Sequence, residues 1–180
     1  MKRIVQSIAL AVALAVASVP MFASNGNSGN VPQDLAAQIR HQLVMIPYYN
    51  VFDDLNYAVN NGVVTLSGAV TQPVVKNDAE SSVKRLPGVT QVINNIRVLP
   101  LSSFDNRIRA AEYRSIYGFG GLSRYAMGTQ PSIHIIVDNG HVTLVGVVDR
   151  QGDKDIANIR ANSVFGVFSV TNDLRVVEQN

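Results

Sequence analysis

The chain has 180 residues, no cysteine, and 15 basic against 13 acidic side chains. The absence of cysteine excludes disulfides, thiolate metal sites and thiol nucleophiles together, so stability rests on packing. Two of the basic residues, Lys2 and Arg3, lie in the N-terminal segment; without them the tally is 13 against 13, which leaves no global attraction to nucleic acid.

Residues 1–23 read as a secretory signal peptide: Met1-Lys2-Arg3, an apolar run from Ile4 to Val19, then Pro20 to Ser24 with Ala23 at the cut. The run falls short of the roughly 20 residues a spanning helix needs. Cleavage after Ala17 and a retained anchor are the alternatives. With no cysteine near the cut a lipoprotein is excluded, and the expected location is periplasmic or secreted. Residues 24–31, rich in Asn, Gly and Ser, read as a flexible tether.

The first predicted domain, residues 32–100, opens with a helix. Pro32-Gln33-Asp34 starts it, Leu35, Ile39 and Leu43 recur every four residues, and Pro47 ends it. Tyr57 to Asn60 and Val63 to Leu66 flank Asn61-Gly62, the dipeptide that supplies positive φ at both centres of a hairpin turn. Pairing across it puts Tyr57, Val59, Val64 and Leu66 on one face and Asn56, Ala58, Thr65 and Ser67 on the other. A helix from Val74 to Leu86, ended by Pro87-Gly88, and a strand from Val89 to Leu99 complete the unit. The crossover makes that strand parallel to the one before the helix, so the sheet is mixed.

The second predicted domain, residues 101–180, repeats the first. Asn61 to Gly68 reappears as Asn139 to Gly146, and at this constant offset about 16 of 41 positions from Val59 to Leu99 are identical. Its elements are a helix opening at Ser103 or Asp105, strands over Ile135–Asp138 and His141–Gly146, a helix near Asp153–Val164 and a strand over Val167–Val177. The fold class is α+β: two tandem αββαβ modules, each a three-stranded mixed sheet with two helices on one face. The linker Leu99-Pro100-Leu101-Ser102 is so short that the copies touch. One departure is a longer, Gly-rich connection, Tyr117 to Gly128, after the first helix of the second copy.

A short amphipathic helix, "NNGVVTLSGAV", a helix and "LPGVTQVINNIRV" together resemble the BON domain of bacterial osmotic-stress and nodulation proteins. The specific parts are the strand end at Gly68 and Gly146 and the turn at Gly88 and Gly166. A leader plus two copies is similar to the family's periplasmic members. The resemblance implies a binding module of the envelope, often for anionic phospholipid, with no catalytic motif and no cofactor.

Residue patterns point the same way. His41, His134 and His141 do not converge: the hairpin pairing sets His141 opposite Asp138 and His134 opposite Val145, which implies surface histidines and no metal site. Asp53-Asp54 reads as a hydrated loop pair, and Asp153 with Asp155 as acids at a helix start. Gly118 to Gly121 lacks the Gly-Lys-Ser/Thr end of a phosphate loop. No set of nucleophile, base and orienting group can be assembled, so no enzyme is expected.

What remains is a stretch where Arg107, Arg109, Arg114 and Arg124 outnumber Asp105 and Glu112 among aromatic side chains. The expected lipid-binding set is Arg107, Arg109, Arg114, Tyr117, Phe119, Leu122, Arg124 and Tyr125, with arginines on headgroups and apolar groups in the bilayer surface. Each cation near an anionic surface contributes about 1 kcal/mol, so a net of two gives roughly 30-fold in partition, and apolar burial must supply the rest. The bland reading packs Ile108, Tyr113, Ile116 and Tyr117 onto the module's own sheet and lays the Gly-rich loop over the junction. The alternative function is protein–protein interaction or stress protection among envelope proteins through the sheet face of His134, Ile136, Thr143 and Val145.

Overall fold

The structure is a computed structural model that describes residues 31–128 and 130–177, with the backbone alone for residues 31–34. The leader and all but the last residue of the tether lie outside the described residues.

In the first copy, helix α1 (Val31–Val44) buries Leu35, Ile39 and Leu43, the positions its four-residue spacing selects. Strands β1 (Asp54–Asn60) and β2 (Val63–Val70) pair antiparallel, with Tyr57 opposite Leu66 and Val59 opposite Val64. The turn between them holds Asn61 at φ 48° and Gly62 at φ 81°. This is the left-handed pair that the dipeptide was expected to supply. Helix α2 (Pro73–Lys84) has proline in its first turn, where no N–H is required, and buries Val75, Ala79 and Val83. It leads to β3 (Gln91–Asn94) and β4 (Arg97–Val98), both parallel to β2. The single strand expected from Val89 to Leu99 is thus interrupted at Asn95-Ile96, without a change of register.

The second copy repeats this with α3 (Ser103–Tyr117), β5 (Ile133–Asp138), β6 (His141–Val148), α4 (Gln151–Asn162) and β7 (Ser169–Val176). Here β7 pairs with β6 along its whole length. Its hairpin sets His134 opposite Val145 and Asp138 opposite His141. Gly68 and Gly146 both adopt positive φ, and a Cβ there would stand 2.1 and 2.0 Å from the carbonyls of Asp54 and Ser132. No other residue fits so close to a facing backbone. Asn94 and Asn172 likewise reach the carbonyls of Lys76 and Lys154, at 3.1 and 2.9 Å, tying the last strand to the second helix in each copy.

A seam joins the copies. Val51, from the loop after α1, is buried in the second copy's core, and its carbonyl accepts from Ile135 N–H at 2.8 Å. That contact covers part of the outer edge of β5, which would otherwise offer unpaired backbone groups. Ile136 packs with Ala69 and Leu99, Tyr49 stacks on His134 at 5.5 Å, and Arg97 pairs with Asp138.

The seam corrects three expectations. The face of His134, Ile136, Thr143 and Val145 is partly occupied by the first copy, because an apolar sheet face beside a four-residue linker is covered by its neighbour. His134 is half-buried in the seam and not on the surface. Asp53 is fully buried, accepting from Asn50 N–H and from the N–H and hydroxyl of Thr71, so it anchors the seam loop and is not hydrated.

Candidate functional site

Helix α3 and the Gly-rich segment behind it were expected to carry binding, and the structure divides their side chains into two groups. Ser102 caps α3 by accepting from Asp105 N–H at 3.1 Å. Asp105 itself turns inward and accepts from the N–H groups of Asn139 and Gly140 at 3.0 and 2.8 Å, locking the helix start to the β5–β6 turn. The side of α3 away from the sheet exposes Arg107, Ala110, Tyr113 and Arg114. Arg107 and Arg114 are two turns apart, and among the described residues neither pairs with a carboxylate.

Four of the eight expected residues are not on the surface. Arg109 is 5 % exposed, donating to the Val137 carbonyl at 2.6 Å and to Asn106 at 2.7 Å. Tyr117 donates to the Ile133 carbonyl from within the core, Leu122 is fully buried, and Tyr125 donates to Asp153 at 2.8 Å. The expectation of an inserting loop is corrected for these side chains. The segment folds into a turn of 3-10 helix (Ser123–Ala126) because Leu122 and Tyr125 gain more from the core than from solvent. Phe119 is half-buried, with the Arg160 guanidinium 4.5 Å over its ring. Arg124 is exposed but committed, at 3.2 Å to Asp149 and 2.5 Å to Asp153. Asp153 was read as an acid favoured by a helix start, and its larger part is to hold Arg124 and Tyr125.

Of the expected set, Arg107 and Arg114 therefore remain, among the described residues, as exposed cations without a carboxylate partner, and two further side chains of the same stretch, Tyr113 and Met127, lie exposed beside them. Tyr113 is 42 % exposed and Met127 73 %, and with Arg114 and Ser123 they line a shallow groove between α3 and the 3-10 turn. The exposed loop-tip methionine was readable in the sequence only as one of several apolar residues in the Gly-rich stretch.

Glu112 was counted with the surface charge, but it is fully buried and neither carboxylate oxygen has a hydrogen-bond partner. Burial pushes its carboxyl up to about 8. It is therefore largely protonated at neutral pH and leaves the outer arginines unopposed. Comparing the two helices would have found it: Leu35, Ile39 and Leu43 match Ile108, Glu112 and Ile116 in spacing. The imidazole of His134 is shifted the opposite way, downward, chiefly because burial disfavours its charged form.

Two αββαβ units with an internal seam, a cationic helix face and, among the described residues, no cluster of metal-ligating side chains define a tandem α+β module. The chain belongs to the BON domain family, whose model matches residues 33–100 and 124–178. Osmotically-inducible protein Y of Escherichia coli (strain K12) is 30% identical over 159 residues, covering 82% of this chain and 74% of the relative. Two solved structures of CdsD, a structural protein of the Chlamydia trachomatis type III secretion system, are 15% identical to the chain. They cover 81% of it and 98% and 94% of their own chains, at TM-scores of 0.29 and 0.30, too low to speak for a shared arrangement. No helix among the described residues is long and apolar enough to cross a membrane.

Proposed function

We propose that this protein is a non-enzymatic cell-envelope module whose second copy docks on anionic phospholipid surfaces, supporting envelope integrity under osmotic stress. The observation that carries the reading is the outer face of α3: Arg107 and Arg114, which among the described residues pair with no carboxylate, beside exposed Tyr113 and Met127. The leader expected over residues 1–23 supports a periplasmic or secreted location. Similarity to an osmotically inducible relative supports the stress context.

The chemistry is that of an interfacial helix. Arginine stems lie along apolar surface while guanidinium groups donate to phosphates, and Tyr113 and Met127 enter the headgroup boundary. Two free cations contribute about 2 kcal/mol on an anionic surface, roughly 30-fold in partition. Co-flotation with phosphatidylcholine vesicles, with and without phosphatidylglycerol, tests this. The protein is expected to float only with the anionic lipid, and R107A/R114A to lose about 30-fold in affinity. Equal failure on both compositions, or undiminished binding by the double variant, would overturn the reading.

A further inference from the structure

Near the Asn139-Gly140 turn the second copy carries an aromatic cluster that has no counterpart in the first. The rings of Phe104, in the first turn of α3, and Phe168, just before β7, lie 5.8 Å apart. His141 meets Phe168 edge-on at 5.9 Å, and the Arg107 guanidinium is 6.0 Å from the Phe104 ring. Phe168 is 69% exposed, and Phe165, three residues earlier on the α4–β7 turn, is 99% exposed. At the repeat offset the first copy has Pro87 and Thr90 in their places.

The core does not account for these two rings. Phe104 packs partly against it, whereas Phe165 and Phe168 do not belong to it. A phenyl left in water forgoes the stabilisation that burial gives, and two exposed phenyls three residues apart on one turn mark a contact surface. Residues 162–169 contain no carboxylate. Of the nearby acids, Asp105 is turned onto backbone amides, and Asp138 is held by Arg97 and Asn139. The apolar tip thus has Arg107 at its edge, and among the described residues these two acids are turned away from it. Both phenyls stand in solvent with a guanidinium at their edge, and such a tip suits a fluid bilayer boundary, where phenyls enter and the cation stays with the headgroups.

We infer that the Phe165–Phe168 turn is the inserting element of the second copy, with Arg107 linking it to the arginine stripe of α3 in one docking face. The inference rests on the lipid-docking reading above. It assigns the apolar contribution chiefly to a turn that the α3 surface alone does not include.

The chain has no tryptophan, so F165W in the full-length mature protein places a single indole at the tip. With phosphatidylcholine–phosphatidylglycerol vesicles its emission is expected to shift to the blue and to be quenched by lipids brominated in the upper acyl chain. F165S/F168S, folded as judged by circular dichroism, is expected to bind at least tenfold more weakly. Vesicles that carry the protein while the indole stays unshifted and unquenched, with F165S/F168S binding like the parent, would overturn the inference and leave the α3 reading standing. Absence of all flotation removes both. A blue shift that grows with protein concentration in the absence of lipid would assign the turn to contact with a second copy, also against the inference.

Discussion

The two copies share a backbone plan and differ in what they bury. At the middle of the first helix, the first copy has Ile39 and the second Glu112, both fully buried. At the start of the second helix, fully buried Val75 corresponds to Asp153, which is 9% exposed. The first copy thus keeps a uniformly apolar helix layer. The second buries four charged side chains on its helices, Asp105, Arg109, Glu112 and Asp153; of the two acids just aligned, Glu112 has no hydrogen-bond partner among the described residues and Asp153 holds the Gly-rich segment through Arg124 and Tyr125. Duplication conserved the turn glycines and the strand-to-helix asparagines, while divergence fell on helix faces and on the connection after α3.

Restoring the first copy's residue at position 112 is expected to have the largest effect. A carboxyl raised from its ordinary value of 4.5 to about 8 favours the folded state fully below about 4.5. That stability is lost as pH rises through about 8, a loss on the order of 4 kcal/mol across the interval. Urea unfolding at pH 5 and pH 9 is expected to show this decline in the natural chain, and E112I is expected to abolish it and to be the more stable at pH 9. A natural chain equally stable at both values would show that Glu112 finds a partner when it ionises.

The opposite exchange at position 153 comes next. D153V removes the acceptor of Tyr125 and one partner of Arg124, and is expected to destabilise the second copy by about 2–3 kcal/mol. The Gly-rich segment would then be cut by protease faster than in the natural chain. Unchanged proteolysis would mean that Leu122 alone secures it.

D105A leaves the N–H groups of Asn139 and Gly140 without their acceptor and is expected to lose about 1–2 kcal/mol in the same unfolding measurement. The smallest effect belongs to the seam. A His134 value lowered by burial gives stability that is present above its ordinary value near 6.5 and is lost as pH falls toward the folded value. Hydrogen exchange of the Ile135 amide is expected to quicken on acidification in the natural chain and much less in H134F, which keeps a ring against Tyr49. Equal acceleration in both would place the acid response elsewhere.

How much of this was legible follows from where the periodicity was intact. Leu35, Ile39 and Leu43 marked α1, and the two Asn-Gly pairs fixed both hairpin registers, because a type I′ turn admits few other residues. The break at Asn95-Ile96 was not legible, since an alternating run carries no sign of a local interruption. At the candidate surface, the residue types were readable but their direction was not. Arg109 and Glu112 resemble solvated helix charges until α3 is aligned with α1 by its buried positions. Tyr117, Leu122 and Tyr125 lie in a segment without period, where glycine spacing suggested flexibility and the core took the side chains instead. The seam left two traces: the four-residue linker, from which contact between the copies was expected, and a second-copy sheet face more apolar than its counterpart, at Ile136 and Val145, which read as a surface for a partner and is partly taken by the first copy.

The contrast between the copies is tested most directly by matched charge reversals in flotation with vesicles containing phosphatidylglycerol. R107E/R114E alters the outer face of α3, and K84E/R85E makes the same charge change at the end of α2 in the first copy, where both side chains are exposed. R107E/R114E is expected to abolish flotation while K84E/R85E floats nearly as the natural chain does. Equal losses from the two pairs would mean that net charge alone governs attachment, contradicting a docking face built into the second copy.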